Sequence, residues 1–174
     1  LFFDIDGKPE GMPASYFDLK KYEAEITEFY LQLQQGALNA EEAKKTDKLV
    51  TVIRNTTLSV KDTKDIKHNL AALQQSGNDY LFALYSKIAK QQEGIYTELE
   101  QLLQHMPYVS ADDITNLEAL IHQSHISNSE EILKMHDAIT NADIDLPTLF
   151  NLAREISNSN EYLLRALSYM VNGK

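Results

Sequence analysis

The chain has 174 residues, 43% of them hydrophobic, and it contains no cysteine. This content is enough for a full hydrophobic core, which excludes a disordered chain, and the lack of cysteine excludes disulfides, thiolate catalysis and cysteine-ligated zinc. The 26 acidic side chains outnumber the 16 basic ones and give a net charge of −10. Such a charge is repelled by phosphate backbones, so we expect no nucleic-acid partner.

Residues 1–15 contain two glycines and two prolines and are predicted to be an entry linker or the end of an upstream element. A first helix should begin near Ser15, whose spacing to Asp18 resembles a capping box, and should stop at Gly36. Its apolar residues recur at steps of three and four and predict one core-facing stripe: Leu19, Tyr22, Ile26, Phe29 and Leu33.

A second, long helix is predicted from a capping box at Asn39 and Glu42 to about Gln75. The residues predicted to form its inner side are Leu49, Val52, Ile53, Thr56, Val60, Thr63, Leu70 and Leu73. Val50 and Leu58 fall on the other side of this helix. Its first half should therefore be covered on two faces, as a central helix is.

A turn at residues 76–78, Ser-Gly-Asn, separates the second and third helices. Pro107 ends the third helix, and Ser110 begins the fourth by capping it. The apolar stripe of the fourth helix weakens at His125 and Asn128. We therefore expect a kink or break at residues 123–129.

A fifth helix should begin at Asp145 as its cap, with Pro147 in the first turn. No segment alternates as a strand does, so the sequence predicts an all-α fold, an antiparallel bundle of about five helices. Residues 16–107 are assigned to a three-helix unit. Residues 108–174 are assigned to two further helices packed on it, or to a partial second repeat.

The most informative stretch is residues 50–70, where the apolar pattern gives way to the polar run KDTKDIKHN. Helical geometry with Val60 and Ile53 on the inner side places Asp62 and Asp65 together on the opposite face. Asn55 and Asn69 fall on this face as well. The helix therefore turns a polar face either to water or to something that it binds.

Two interpretations of this face remain open. It can be a solvated surface with an ion pair between Lys61 and Asp65, four residues apart. Alternatively, Asp62 and Asp65 could offer oxygen ligands to a hard cation, with His68 as a nitrogen ligand, if a third carboxylate came from a neighbouring helix.

Other constellations are weaker. His122 and His125 stand three residues apart and could ligate a transition metal, but no acid is adjacent, which favours a capping or kink role. The sequence contains no GxSxG motif, glycine-rich phosphate loop or cysteine nucleophile. We predict no enzymatic activity, no metal site and no cofactor.

The segment IRNTTLSVKDTKDIKHNLAALQQSGND, residues 53–79, resembles the signature region of the PhoU-like cytosolic domain that follows the membrane portion of bacterial sodium/phosphate cotransporters. The helix of that family reads roughly Arg-Asn-x-x-x-(Ser/Ala)-x-Lys-x-x-Lys-Asp-Ile-x-His-Asn. The residues that fit this pattern are Arg54, Asn55, Ser59, Lys61, Lys64, Asp65, Ile66, His68 and Asn69. The likeness covers about residues 18–85.

The resemblance implies a non-enzymatic regulatory or coupling domain of a sodium-dependent phosphate transporter, on the cytoplasmic side of the membrane. The sequence begins at Leu1 without a methionine or a leader, so we expect it to be a piece of a longer chain. The transporter domain should then precede Leu1. PhoU proteins can hold metal clusters on acidic motifs, but Leu58 and Lys61 occupy the places where acids are required four residues before Asp62 and Asp65. A multinuclear metal site is therefore not expected.

The residues proposed as a ligand or partner surface are Arg54, Asn55, Asp62, Asp65, His68 and Asn69. Two alternatives to the transporter domain stay open. One is a metal- or anion-binding sensor centred on these residues, and the other is a plain helical scaffold or dimerisation module. We also consider a homodimer.

Overall fold

The computed structural model describes residues 16–36, 38–135 and 144–171. The helices are α1 (Tyr16–Gln34), α2 (Ala40–Gln74), α3 (Asp79–Gln104), α4 (Ala111–Lys134) and α5 (Leu146–Val171), with a 3-10 turn at Met106–Tyr108. No strand occurs in these three ranges, which confirms the all-α prediction. Within the same ranges, no helix combines the length and hydropathy needed to cross a bilayer.

Local capping explains where the helices begin. The side chain of Asn39 accepts the backbone N–H of Glu42 at 3.0 Å, and the Glu42 carboxylate accepts the N–H of Asn39 at 3.0 Å, so the predicted capping box is confirmed. Ser110 and Asp113 form a second box at the start of α4. Asp145 caps α5 as predicted, because its Oδ1 accepts a backbone N–H of the first turn at 2.9 Å. The predicted start of α1 at Ser15 lies outside the described residues.

α2, α3, α4 and α5 form an antiparallel four-helix bundle. α2 packs on α5 and α3, and α4 packs on α3 and α5, which closes the ring. α1 lies outside this ring and packs on α2. Val50 and Leu58 are half-buried and line the space between α1 and α2, which confirms that the first half of α2 is covered on two faces.

Two apolar clusters fill the bundle, one towards each end. The first contains Ile66, Leu70, Leu73, Leu81, Leu84, Ile88, Ile132, Met135, Leu149, Leu152, Ala153 and Ile156. The second contains Ile95, Leu102, Leu117, Ile121, Leu164 and Leu167. Each cluster combines residues from before and after residue 107, so the helices on the two sides of that position share their core.

The break predicted at residues 123–129 is absent, because α4 runs continuously through this range. Asn128 and Ser124 are 2% and 7% exposed, and His125 is half-buried. The weakened apolar stripe thus marks polar side chains that face the other helices. Burial of a polar side chain does not require the helix to break.

α1 differs from its prediction. Leu19 and Leu33 are half-buried, but Tyr22, Ile26 and Phe29 are 51%, 39% and 59% exposed, so the predicted core-facing stripe is wrong for these three. The physical reason is that α1 packs mainly on α2, so only a narrow face of α1 is covered. No described residue of α1 is fully buried.

Candidate functional site

The six residues predicted as a ligand or partner surface all lie on α2, but they do not share a face. Arg54, Asp65 and His68 are exposed, and Asn69 is half-buried. Asn55 and Asp62 are buried. The structure therefore divides them between solvent and the interior of the bundle. They do not form one site.

The prediction that Asn55 and Asp62 face away from the core is wrong. Asn55 and Asp62 are only 9% and 6% exposed. Ser59, on the same side of the helix, is 1% exposed, and its Oγ lies 2.9 Å from the Oγ of Ser159 on α5. Ile66, one turn after Asp62, is buried in the first apolar cluster. This side of α2 is the contact with α5.

Asp62 is a buried carboxylate whose desolvation is offset by no close hydrogen bond from a cation among the described residues. Burial raises its pKa, and the negative charge of Glu155 on α5 raises it further. Lys61 opposes this rise, although its Nζ is 3.9 Å from Asp62 Oδ1, a distance too long for a good hydrogen bond. The charged form of Asp62 is therefore disfavoured in the folded protein.

Asp65 lies on the exposed side, where the predicted ion pair is confirmed. Lys61 Nζ donates to Asp65 Oδ2 at 3.0 Å, and Lys64 Nζ lies 3.6 Å from Asp65 Oδ1. The hydrogen bond from Lys61 lowers the pKa of Asp65. This part of the polar run is a solvated, internally paired surface.

A polar layer crosses the bundle between the two apolar clusters. Its members come from all four helices and are Ser59, Thr63, Gln92, Tyr96, Ser124, Asn128, Ser157, Ser159 and Asn160. On α5 the layer falls between Ile156 of the first cluster and Leu164 of the second. On α3, Ile88 and Ile95 bracket Gln92 in the same way.

Part of this layer is a hydrogen-bonded network. Ser159 Oγ donates to the carbonyl oxygen of Ser59 at 3.1 Å and lies 3.0 Å from Thr63 Oγ1. The Tyr96 hydroxyl also bonds to Ser159 and Thr63, while burial raises the pKa of Tyr96 to about 12. The network joins α2, α3 and α5, and Tyr96 stays a neutral donor at physiological pH.

Three other members of the layer have an unsatisfied polar atom. Gln92 Nε2, Asn128 Oδ1 and Asn160 Oδ1 are buried and have no hydrogen-bond partner among the described residues. A buried polar group without a partner costs about 1–3 kcal/mol. The polar layer is therefore a weaker part of the core than the apolar clusters beside it.

A cleft of about 400 Å³ lies between α1 and α2. Lys20 from α1 and Arg54 and Lys61 from α2 line it, together with the carboxylate of Glu23. Lys20 is ion-paired with Glu23, whereas Arg54 has no ion pair within the described ranges. Thr57 lies at the wall of the cleft and is 4% exposed.

A second groove, of about 660 Å³, lies between α4 and α5. His122 and His125 both line it, with Glu118 and Glu161. In the part of the chain that the structure describes, no three or more histidine, aspartate or glutamate side chains are placed to hold a metal ion. The groove therefore lends no support to a metal site at the two histidines.

Several of these residues were not predicted from the sequence. The polar layer could have been suspected on α5, where the run Ser-Asn-Ser-Asn at residues 157–160 interrupts an otherwise apolar stripe. Likewise, Ile66 follows Asp62 by four residues, which places both on one side of α2. No sequence signal pairs Lys20 with Arg54, because these residues are distant along the chain.

No family model, curated protein or solved structure matches the chain. These comparisons therefore do not identify a PhoU-like domain or a sodium/phosphate cotransporter. The resemblance of residues 53–79 to that family stays a prediction.

Proposed function

We propose that this chain is a non-enzymatic, PhoU-like regulatory or coupling domain of a sodium-dependent phosphate transporter. The resemblance of residues 53–79 and the all-helical fold support the assignment. The observation that carries the interaction role is the exposed apolar strip of α1, formed by Tyr22, Ile26 and Phe29. The domain acts through this strip on the cytoplasmic side of the membrane.

The α1 strip has the spacing of a helix that docks into a groove. Ile26 follows Tyr22 by four residues and Phe29 follows Ile26 by three, so the side chains lie in a row. Helix-in-groove complexes use anchors at this spacing. Covering an exposed apolar side chain contributes roughly 25 cal/mol per Å² removed from water. The partner proposed for the strip is the transporter domain that precedes the chain.

The first test is the full-length coding sequence. We expect several segments of roughly 20 apolar residues, each able to cross a bilayer, before residue 1. A full-length protein that encodes no transmembrane helix would remove the transporter assignment and leave only the interaction role of the α1 strip.

The second test addresses the strip itself. In the full-length protein, the double substitution Ile26→Glu and Phe29→Glu should change the rate of sodium-driven phosphate uptake severalfold at unchanged protein level, because two charges would have to be desolvated on docking. Leu133→Glu is the matched control, since Leu133 is 63% exposed on α4. The proposal is contradicted if the double substitution and Leu133→Glu change the uptake rate equally, or if neither changes it.

A second copy of the chain is the competing occupant of the strip. Light scattering on the purified chain distinguishes it. A dimer that the double substitution dissociates, combined with an unchanged uptake rate in the full-length protein, would assign the strip to dimerisation.

A further inference from the structure

We propose that the cleft between α1 and α2 is a binding site for a tetrahedral oxyanion, a phosphate group that is either free in solution or carried by a lipid headgroup. The proposal rests on the cleft alone and does not depend on the transporter assignment. It differs from the sensor site predicted from the sequence, because Asn55 and Asp62 are buried and do not line the cleft, whereas Arg54 lines it together with residues of α1.

The charge of the cleft is the reverse of the charge of the chain. The protein has a net charge of −10, yet three cations and one carboxylate line this cleft. The cations come from two helices, so the fold brings them together rather than the local sequence. A concave site with an excess of one sign of charge concentrates ions of the opposite sign.

Arg54 is the cation of the cleft that has no ion pair within the described ranges. Its guanidinium group has no carboxylate partner among the residues that the structure describes, although the chain is rich in acids. A guanidinium group offers a planar set of N–H donors that matches two oxygens of a phosphate group. Lys20 and Lys61, on opposite walls, add two ammonium groups, which are paired with Glu23 and Asp65 and would have to share these partners with an anion.

The space fits such a ligand. A volume of about 400 Å³ lies within the range of small-molecule sites, and it leaves room for a substituent on the phosphate group. The Tyr16 ring also lines the cleft and can cover one side of the ligand. The site would bridge the two helices, so occupation would tie α1 to α2.

Glu23 is the one carboxylate among the described residues that line the cleft. Its carboxylate is paired with Lys20, so it competes with an entering anion for the same ammonium group. Removal of this carboxylate should therefore tighten anion binding. A purely structural role for the Lys20 and Glu23 pair predicts no such gain.

The experiment is calorimetric titration of the purified chain with inorganic phosphate, at neutral pH and low ionic strength, in a buffer free of phosphate and sulfate. We expect binding at millimolar or lower concentration. Arg54→Gln should weaken it about tenfold or more, since a hydrogen bond between charged groups is lost. Glu23→Gln should tighten it severalfold.

Arg165→Gln is the matched control, because it also removes one exposed arginine but lies in the groove between α4 and α5. It should leave the affinity unchanged. Circular dichroism checks that each variant is folded, and Lys20→Gln replaces Arg54→Gln if the latter loses its helical signal. Absence of heat with phosphate and with sulfate, or a loss of affinity in Arg165→Gln as large as in Arg54→Gln, overturns the proposal.

Co-sedimentation with phosphatidylcholine vesicles containing phosphatidic acid separates the two sources of the phosphate group. Binding of free phosphate without vesicle binding indicates a soluble ligand. Vesicle binding that Arg54→Gln abolishes indicates a lipid headgroup. If Arg54→Gln leaves vesicle binding unchanged and free phosphate gives no heat, the cleft is not the binding site.

Discussion

The core-facing side of α2 is polar along one half and apolar along the other. Its buried residues, in chain order, are Asn55, Ser59, Asp62, Ile66, Leu70 and Leu73. Ser59 bonds to Ser159 of α5 and Asp62 lies near Glu155 of α5, whereas the last three residues enter the first apolar cluster. Both halves are buried on the same helix, so burial follows the spacing of the residues and not their polarity.

The two halves contribute to stability in opposite ways. Removing the apolar half from water is favourable, and its close packing adds dispersion energy. Burying the polar half costs desolvation, which hydrogen bonds offset only where partners exist. Substitutions in the apolar half should therefore lower the free energy of unfolding, whereas in the polar half the sign should depend on whether the side chain has a hydrogen-bond partner. Three variants of graded effect can test this difference.

Leu73→Ala should have the largest effect. Leu73 is 0% exposed in the first apolar cluster, so the substitution should lower the free energy of unfolding by about 3 kcal/mol through lost transfer energy and a residual cavity. Urea denaturation measures this loss. Leu103→Ala, at a residue 43% exposed on α3, is the control and should cost less than about 0.5 kcal/mol. Equal losses at the two positions would mean that the apolar half is not a packed core.

Asp62→Asn should have an intermediate effect of the opposite sign. At neutral pH it should raise the free energy of unfolding by about 1 kcal/mol, because it removes a buried charge that lies near Glu155. Asp65→Asn is the matched control on the exposed face. There the loss of the ion pair with Lys61 should cost at most about 0.5 kcal/mol.

The gain from Asp62→Asn should also depend on pH. The pKa of Asp62 in the folded protein is raised above the ordinary value of 3.8, so the stability linked to its protonation is complete below 3.8 and is lost as pH rises through the folded pKa. The difference between the parent chain and Asp62→Asn should thus vanish in acid and grow towards neutral pH. A difference that is constant with pH would show that Asp62 is not desolvated.

Ser59→Ala should have the smallest effect, a loss of about 0.5 kcal/mol. The substitution removes one partner of Ser159, which keeps its bonds to Thr63 and Tyr96. Thermal unfolding followed by circular dichroism can resolve such a loss as a small decrease in Tm. A rise in Tm would mean that the hydrogen-bonded network does not offset the desolvation of Ser59.

The capping residues show what can be predicted from the sequence by itself. The starts of α2, α4 and α5 at Asn39, Ser110 and Asp145 were correct, because a cap bonds to backbone N–H groups two or three residues away. The all-α class and the two-sided cover of α2 followed in the same way from spacing along single helices. These properties depend on near neighbours in the chain.

Tertiary structure decided which stripe of each helix is covered. Periodicity places Asp62 relative to Val60, but only the position of α5 makes the Asp62 side the interior. Periodicity also predicts an apolar stripe on α1, but it does not show that Tyr22 stays exposed when α1 packs on α2. Likewise, only the packing of α1 on α2 places Lys20 and Arg54 in the same cleft. Side-chain spacing is local, whereas the contact between two helices depends on the free energy of packing the whole chain.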